Sequence, residues 1–137
     1  DKDSEGLLLF TNDGTLAHRL LHPSHKISKT YHVTVRGRPL KAVLDLLRQG
    51  VDIEGKMTLP CEMLVLETTR RSTVLEIVLK EGRKRQIRLM FNTVNHPVIR
   101  LIRIKIGPVS LGKLLPGNYR ILTDSEVESL KKAVGLI

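Results

Sequence analysis

The chain is 137 residues long and 41% apolar, and it carries 23 Lys and Arg against 14 Asp and Glu, a formal charge of +9. That length fits one domain with a real core, and no apolar run approaches the roughly 18 residues of a membrane span. Aromatic residues make up only 3% (Phe10, Phe91, Tyr31 and Tyr119), which argues against a protein that binds single strands mainly by stacking bases on an aromatic platform.

In chain order, residues 6–11 (GLLLFT) read as a short buried strand, and Asn12, Asp13 and Gly14 form the turn after it. Residues 15–22 predict a helix with Leu16, Leu20 and Leu21 on its apolar face, stopped by Pro23. Residues 29–36 (KTYHVTVR) set Tyr31, Val33 and Val35 against Thr30, His32, Thr34 and Arg36, a half-buried strand. Residues 40–49 form an amphipathic helix through Leu40, Val43, Leu44 and Leu47, ended by Gly50. Strands near 58–68 and 72–80, with Thr69–Arg71 between them, predict a hairpin. A helix over 84–94 and a long strand over 98–106 follow. A closing helix spans 124–133, with Thr123 and Glu126 spaced as a capping box. Strands and helices interleave without strict alternation. The expected fold class is therefore α+β, a mixed, mostly antiparallel sheet with packed helices in a single domain spanning 1–137.

A basic excess of this size draws a protein toward nucleic acid phosphates or an anionic surface. It is concentrated in EGRKRQIRLMF (81–91). There Ile87, Met90, Phe91 and Val94 recur at helical spacing as a buried stripe, and Arg85, Arg88 and Asn92 share the opposite flank. Lys84 and Arg88 form a like-charge i, i+4 pair with no acid on the helix to offset it. Such a face is either solvated or turned toward anions, and arginine at most of these positions favours anions because its fork pairs bidentately with phosphate or carboxylate. His18 and His22 have a spacing that can bind zinc, but no third ligand is convincingly placed, and no metal is expected. Asp3, Glu5 and Asp13 read as solvated or turn residues, and Cys61 as a small buried residue. The single cysteine lacks an internal disulfide partner, and the acidic start lacks the pattern of a signal peptide; both fit a cytoplasmic protein.

Taken together, these segments resemble the bacterial ribosomal RNA pseudouridine synthases of the small-subunit type. The pattern of that family around its nucleophile is G-R-L-D-x-x-[TS]-x-G-L-L-L-x-T-N-D-G, and DKDSEGLLLFTNDG matches it from Asp1 onward. LAHRLLHPS, KTYHV, EGRKRQIRLMF, HPV, LIRIKIGPVSLGKLLPG and YRILT follow in the family's order, so the likeness covers nearly the whole chain. Two departures are mild: Leu89 stands for the usual second arginine and Asn95 for the usual glycine before H-P-V. The G-R-L ahead of the aspartate is missing. The resemblance accordingly implies the larger, C-terminal part of a catalytic domain, without the S4-like RNA-binding domain, and self-association through the sheet edge left by truncation.

The resemblance implies an isomerase that converts a uridine of ribosomal RNA to pseudouridine without metal or other cofactor. The base is detached from the ribose, turned and rejoined through carbon. Asp1 would be the nucleophile, Arg88 its salt-bridge partner and Tyr31 the ring that stacks on the flipped uracil and assists proton removal. Arg19, Lys29, Arg83, Lys84 and Arg85 are expected to hold flanking phosphates. Tyr31 also reads as a core tyrosine, because it alternates with Val33 and Val35. The rival readings are a non-catalytic basic RNA-binding fragment and, more weakly, a ribosome-associated structural protein.

Overall fold

A computed structural model describes residues 2–137 of the chain. In it two-residue β1 (Glu5–Gly6) leads to α1 (Gly14–Leu21), the 3-10 turn Pro23–His25 and the long strand β2 (Lys29–Arg36). Then come α2 (Lys41–Gln49), a small hairpin of β3 (Asp52–Ile53) and β4 (Lys56–Met57), and a larger hairpin of β5 (Glu62–Thr68) and β6 (Ser72–Leu79). α3 (Gln86–Asn92), β7 (Val98–Ile106), β8 (Val109–Ser110) and α4 (Asp124–Ala133) complete the order. The main sheet runs β1-β7-β2-β6-β5, with β8 folded back on β7. β1 lies parallel to β7, and the other pairings are antiparallel. The sheet is therefore mixed and mostly antiparallel, as the residue pattern predicts.

Strand alternation sets the faces. On one face Val33 lies between Leu75 of β6 and Leu101 of β7, and Tyr31 lies between Ile77 and Arg103. Leu44 and Leu47 of α2 and Ile87, Met90 and Phe91 of α3 pack onto this face as the larger core. The remaining helices close a second core, in which Leu16 of α1, Leu130 of α4 and Val134 just after it meet Leu7, Ile27, Ile106 and Val109. α4 starts with the expected capping box, in which Thr123 and Glu126 each bond the other's backbone N–H.

Four expectations are corrected. The strand expected over 6–11 shrinks to Glu5–Gly6, and its apolar run is not buried as a block. Leu7 points inward, but Leu8 is 62% and Phe10 87% exposed. In α1, Leu16 is buried whereas Leu21 is exposed. The strand expected from residue 58 begins at Glu62, because residues 52–57 form their own hairpin, with Glu54 and Gly55 both at positive φ in the turn. The helix expected over 84–94 is Gln86–Asn92. Arg85 sits at φ 55, a left-handed conformation that cannot extend the helix backward. Lys84 thus stands outside the helix and does not form the i, i+4 pair with Arg88.

Candidate active-site cleft

A cleft of about 330 Å³ opens where three pieces meet: the Tyr31 face of the sheet, residues 4–8, and the loop over 81–86 that feeds α3. Its floor is apolar, made by Leu79, Ile87, Leu101 and the half-buried ring of Tyr31. Tyr31 packs against the larger core, as its alternation with Val33 and Val35 predicts, and it also lines the cleft.

The wall over 4–8 is held by Arg103. Leu7 donates its N–H to the Arg103 carbonyl at 2.8 Å, and Arg103 Nε donates back to the Leu7 carbonyl at 2.9 Å. Gly6 makes this approach geometrically open. Its φ is +108°, and a Cβ there would overlap the Arg103 carbonyl oxygen and stand 2.6 Å from the Arg103 nitrogen. At the outer side of β1, Arg100 grips Glu5 with two bonds of 2.9 and 3.2 Å. From α3, Arg88 Nη2 donates to the Asp3 carbonyl at 2.7 Å. The last arginine of R-Q-I-R is thereby fastened to the segment that directly follows Asp1. Asp1 itself lies outside the described residues.

The loop over 81–86 is fixed from inside. Gln86 is buried, and its Nε2 donates to Glu81 Oε2 at 3.0 Å; the same oxygen accepts the Leu59 N–H at 2.6 Å. Arg83 donates from Nη2 to the Ile53 carbonyl at 2.6 Å and from Nη1 to the Lys56 carbonyl at 3.1 Å, tying the loop to the small hairpin. Arg19, also expected to meet phosphates, instead donates to the Val134 and Gly135 carbonyls at 3.0 and 3.1 Å, capping the C-terminal end of α4. Lys84 and Arg85 are exposed, and Arg85 lines the cleft. Lys29 is different. Its ammonium lies under Gly82, and burial first, then the charge of Arg103, pushes its pKa below the ordinary lysine value.

The cleft therefore brings together Tyr31, Arg83 and Arg85 of the expected residues, with Lys29 beside it and Arg88 behind the wall. Arg19 belongs to the other core. Sequence reasoning passed over Arg103, Gly6, Glu81 and Gln86. An arginine within the apolar run VIRLIRIKI was the available signal for the first, but only strand register reveals that it faces Tyr31. His18 and His22 rings stand 5.5 Å apart, with His22 Nδ1 and Ser24 Oγ in a 2.7 Å hydrogen bond. An apolar floor with a tyrosine ring, ringed by cations, suits a planar base carrying an anionic backbone.

Residues 1–93 match the family model described as RNA pseudouridylate synthase. The chain belongs to that family. It is 42% identical over 136 residues to an "Uncharacterized RNA pseudouridine synthase" of Aquifex aeolicus (strain VF5), covering 99% of this chain and 55% of that protein. A "Ribosomal large subunit pseudouridine synthase B" of Bacillus subtilis (strain 168) is 39% identical, with 96% and 54% covered. A "Ribosomal large subunit pseudouridine synthase E" of Xanthomonas campestris pv. campestris is 43% identical, with 88% and 73% covered. Among solved structures, a crystal structure of pseudouridylate synthase superposes with a TM-score of 0.88 at 34% identity, over 95% of this chain and 56% of that one. The chain spans about half the length of most of these relatives. The α+β fold is that of the family.

Proposed function

We propose that this chain carries the larger part of an active site that isomerises a uridine of ribosomal RNA to pseudouridine. One observation carries the reading: a cleft roomy enough for a nucleotide base, with the Tyr31 ring on its floor and, as its wall, the segment that follows Asp1, clasped by Arg88 through the Asp3 carbonyl. The relatives named for the large ribosomal subunit support RNA of the ribosome as the substrate. Within the family, the ordered motifs from Asp1 to Thr123 favour the small-subunit-type group. The setting is the cytoplasm, where ribosomal RNA is processed.

In this reading the Asp1 carboxylate either bonds to the ribose anomeric carbon or takes a proton from the ribose carbon next to it, and in both cases uracil leaves with the electron pair of the broken carbon–nitrogen bond. A nearby guanidinium keeps such a carboxylate ionised in a site that excludes water. The Tyr31 ring stacks on the freed uracil while it turns. After carbon–carbon bonding, the phenol helps to remove the proton left on that carbon. The exposed Lys84 and Arg85 meet phosphates on either side of the flipped nucleotide. The chemistry needs no electron carrier and no metal.

The test is release of tritium from ribosomal RNA labelled at uracil carbon 5, catalysed by the full-length protein. Asp1→Asn should abolish it. Tyr31→Phe should leave RNA affinity within about twofold and lower single-turnover release by about 10²–10⁴. Substantial release by Asp1→Asn defeats the assignment. Salt-sensitive binding by the wild type with no release at all leaves the non-catalytic RNA-binding reading.

A further inference from the structure

We propose that Lys29 and Arg103 form a phosphate subsite at the edge of the cleft, gripping the backbone phosphate of the nucleotide whose base rests on Tyr31. The inference rests on the reading above for the identity of that nucleotide, but its geometry is independent of the chemistry.

Three observations carry it. First, register places Arg103 directly across from Tyr31 on the same sheet face, so its side chain lies next to anything stacked on the ring. Second, Arg103 is preset. Its Nε is held by the Leu7 carbonyl, which fixes the plane of the guanidinium and leaves its two terminal nitrogens to fork onto an anion. Third, Lys29 sits close enough to Arg103 for the two charges to repel, and it is half-buried; both effects lower its pKa. Among the described residues neither cation has an ion pair with a carboxylate. Of the two acids that line the cleft, Glu81 spends one carboxylate oxygen on Gln86 and Leu59, and Glu5 is held by Arg100. Two adjacent cations, one half-buried and neither paired with a carboxylate of the described residues, repel each other, and the single negative charge of an entering phosphodiester, spread over its two non-bridging oxygens, relieves that repulsion. Phosphate suits the pair better than a uracil carbonyl, which offers a neutral acceptor and would leave most of the repulsion in place.

Gly82 completes the subsite. A Cβ at that position would stand 2.9 Å from Lys29 Nζ, so any side chain there would displace the ammonium from its place. The glycine thus leaves Lys29 open on the side of the loop that crosses above it.

The experiment uses the full-length protein and a short single-stranded RNA containing one uridine, in two forms. One has natural linkages; the other has a neutral methylphosphonate on either side of that uridine. Dissociation constants are measured against salt for wild type, Lys29→Gln, Arg103→Gln, Arg103→Lys and Lys84→Gln. Wild type should bind the neutral-linkage RNA more weakly, and each Gln variant at 29 or 103 should lose that discrimination. The slope of log K against log salt should fall by about 0.7 per phosphate contact removed from single-stranded RNA. Arg103→Lys, which keeps the charge and loses the fork, should retain the slope while binding more weakly; this separates a lost phosphate contact from a misfolded cleft. Lys84→Gln, on the exposed side of the loop, should lower the slope and shrink the discrimination only in part. If Lys29→Gln and Arg103→Gln keep full discrimination and slope but slow tritium release, the pair acts on the base and the phosphate assignment is overturned. If discrimination is lost as expected but the wild type releases no tritium from ribosomal RNA, the subsite stands and the catalytic reading falls.

Discussion

Gly6→Ala isolates the weakest join in the cleft. The substitution puts a methyl group where the Arg103 backbone already lies and holds an alanine at φ +108°. Such a conformation costs a non-glycine residue about 1–3 kcal/mol before any clash. The obstructing atoms are backbone of β7, which is paired with β2 along most of its length and cannot move aside. The two-residue β1 gives way instead. Releasing it forfeits the Leu7–Arg103 pair of hydrogen bonds, about 1 kcal/mol each, and exposes Leu7, worth at most about 2 kcal/mol because it returns to water from near-complete burial. The expected loss is therefore about 2–4 kcal/mol in urea unfolding, with the larger core untouched. Hydrogen exchange at the Leu7 amide should accelerate by orders of magnitude while the amides of β2 and β6 keep their protection relative to global stability. Tritium release should fall as well, because Arg103 loses its clamp and the segment after Asp1 its support. An alanine variant with an unchanged urea midpoint and a protected Leu7 amide would refute the clamp.

Three further outcomes are expected. Phe91→Ala empties a fully buried site between α3 and the sheet and should cost about 3–5 kcal/mol, a large share of the 5–15 kcal/mol typical of a domain, read as a much lower thermal midpoint by circular dichroism. Arg120, and after it the Thr123 backbone N–H, holds the Glu126 carboxyl at about 2, below its ordinary 4.5. Its contribution is thus fully present above about pH 4.5 and is lost as pH falls toward 2. Glu126→Gln should flatten that stretch of the urea-midpoint curve, and an unchanged acid limb would show that the pair adds nothing. Burial, then the charge of Glu81, pushes the Cys61 thiol up to about 11. A disulfide reagent at pH 8 should label it slowly in the native protein and at once in urea; labelling at the rate of a free thiol in the native state would contradict that burial.

Strictly local patterns were legible without coordinates. Alternation marks β2 over Lys29–Arg36, the bounds found in the structure, and Thr123 with Glu126 marks the start of α4. Ile87, Met90 and Phe91 mark the buried stripe of α3. In each case the determining interaction lies within about one helical turn or one strand pleat, so neighbours in sequence carry all the information. The motif order from Asp1 to Thr123 likewise pointed to the family. Long-range partners were not legible. Arg19 and Arg83, expected to meet phosphates, each donate to backbone carbonyls far along the chain, and Arg83 also lines the cleft. The run GLLLF was read as a buried strand, but only Leu7 finds a core to enter. Arg103 went unnoticed because its place beside Tyr31 depends on strand register, with bulges at Thr30/Tyr31 and Thr34/Val35 that no alternation pattern encodes. Composition and periodicity alone thus marked β2, the buried stripe of α3 and the start of α4. Which cations face the cleft and which merely cap the backbone was decided only when residues 85 and 96 positions apart, such as Asp3 with Arg88 and Leu7 with Arg103, came into hydrogen-bond range.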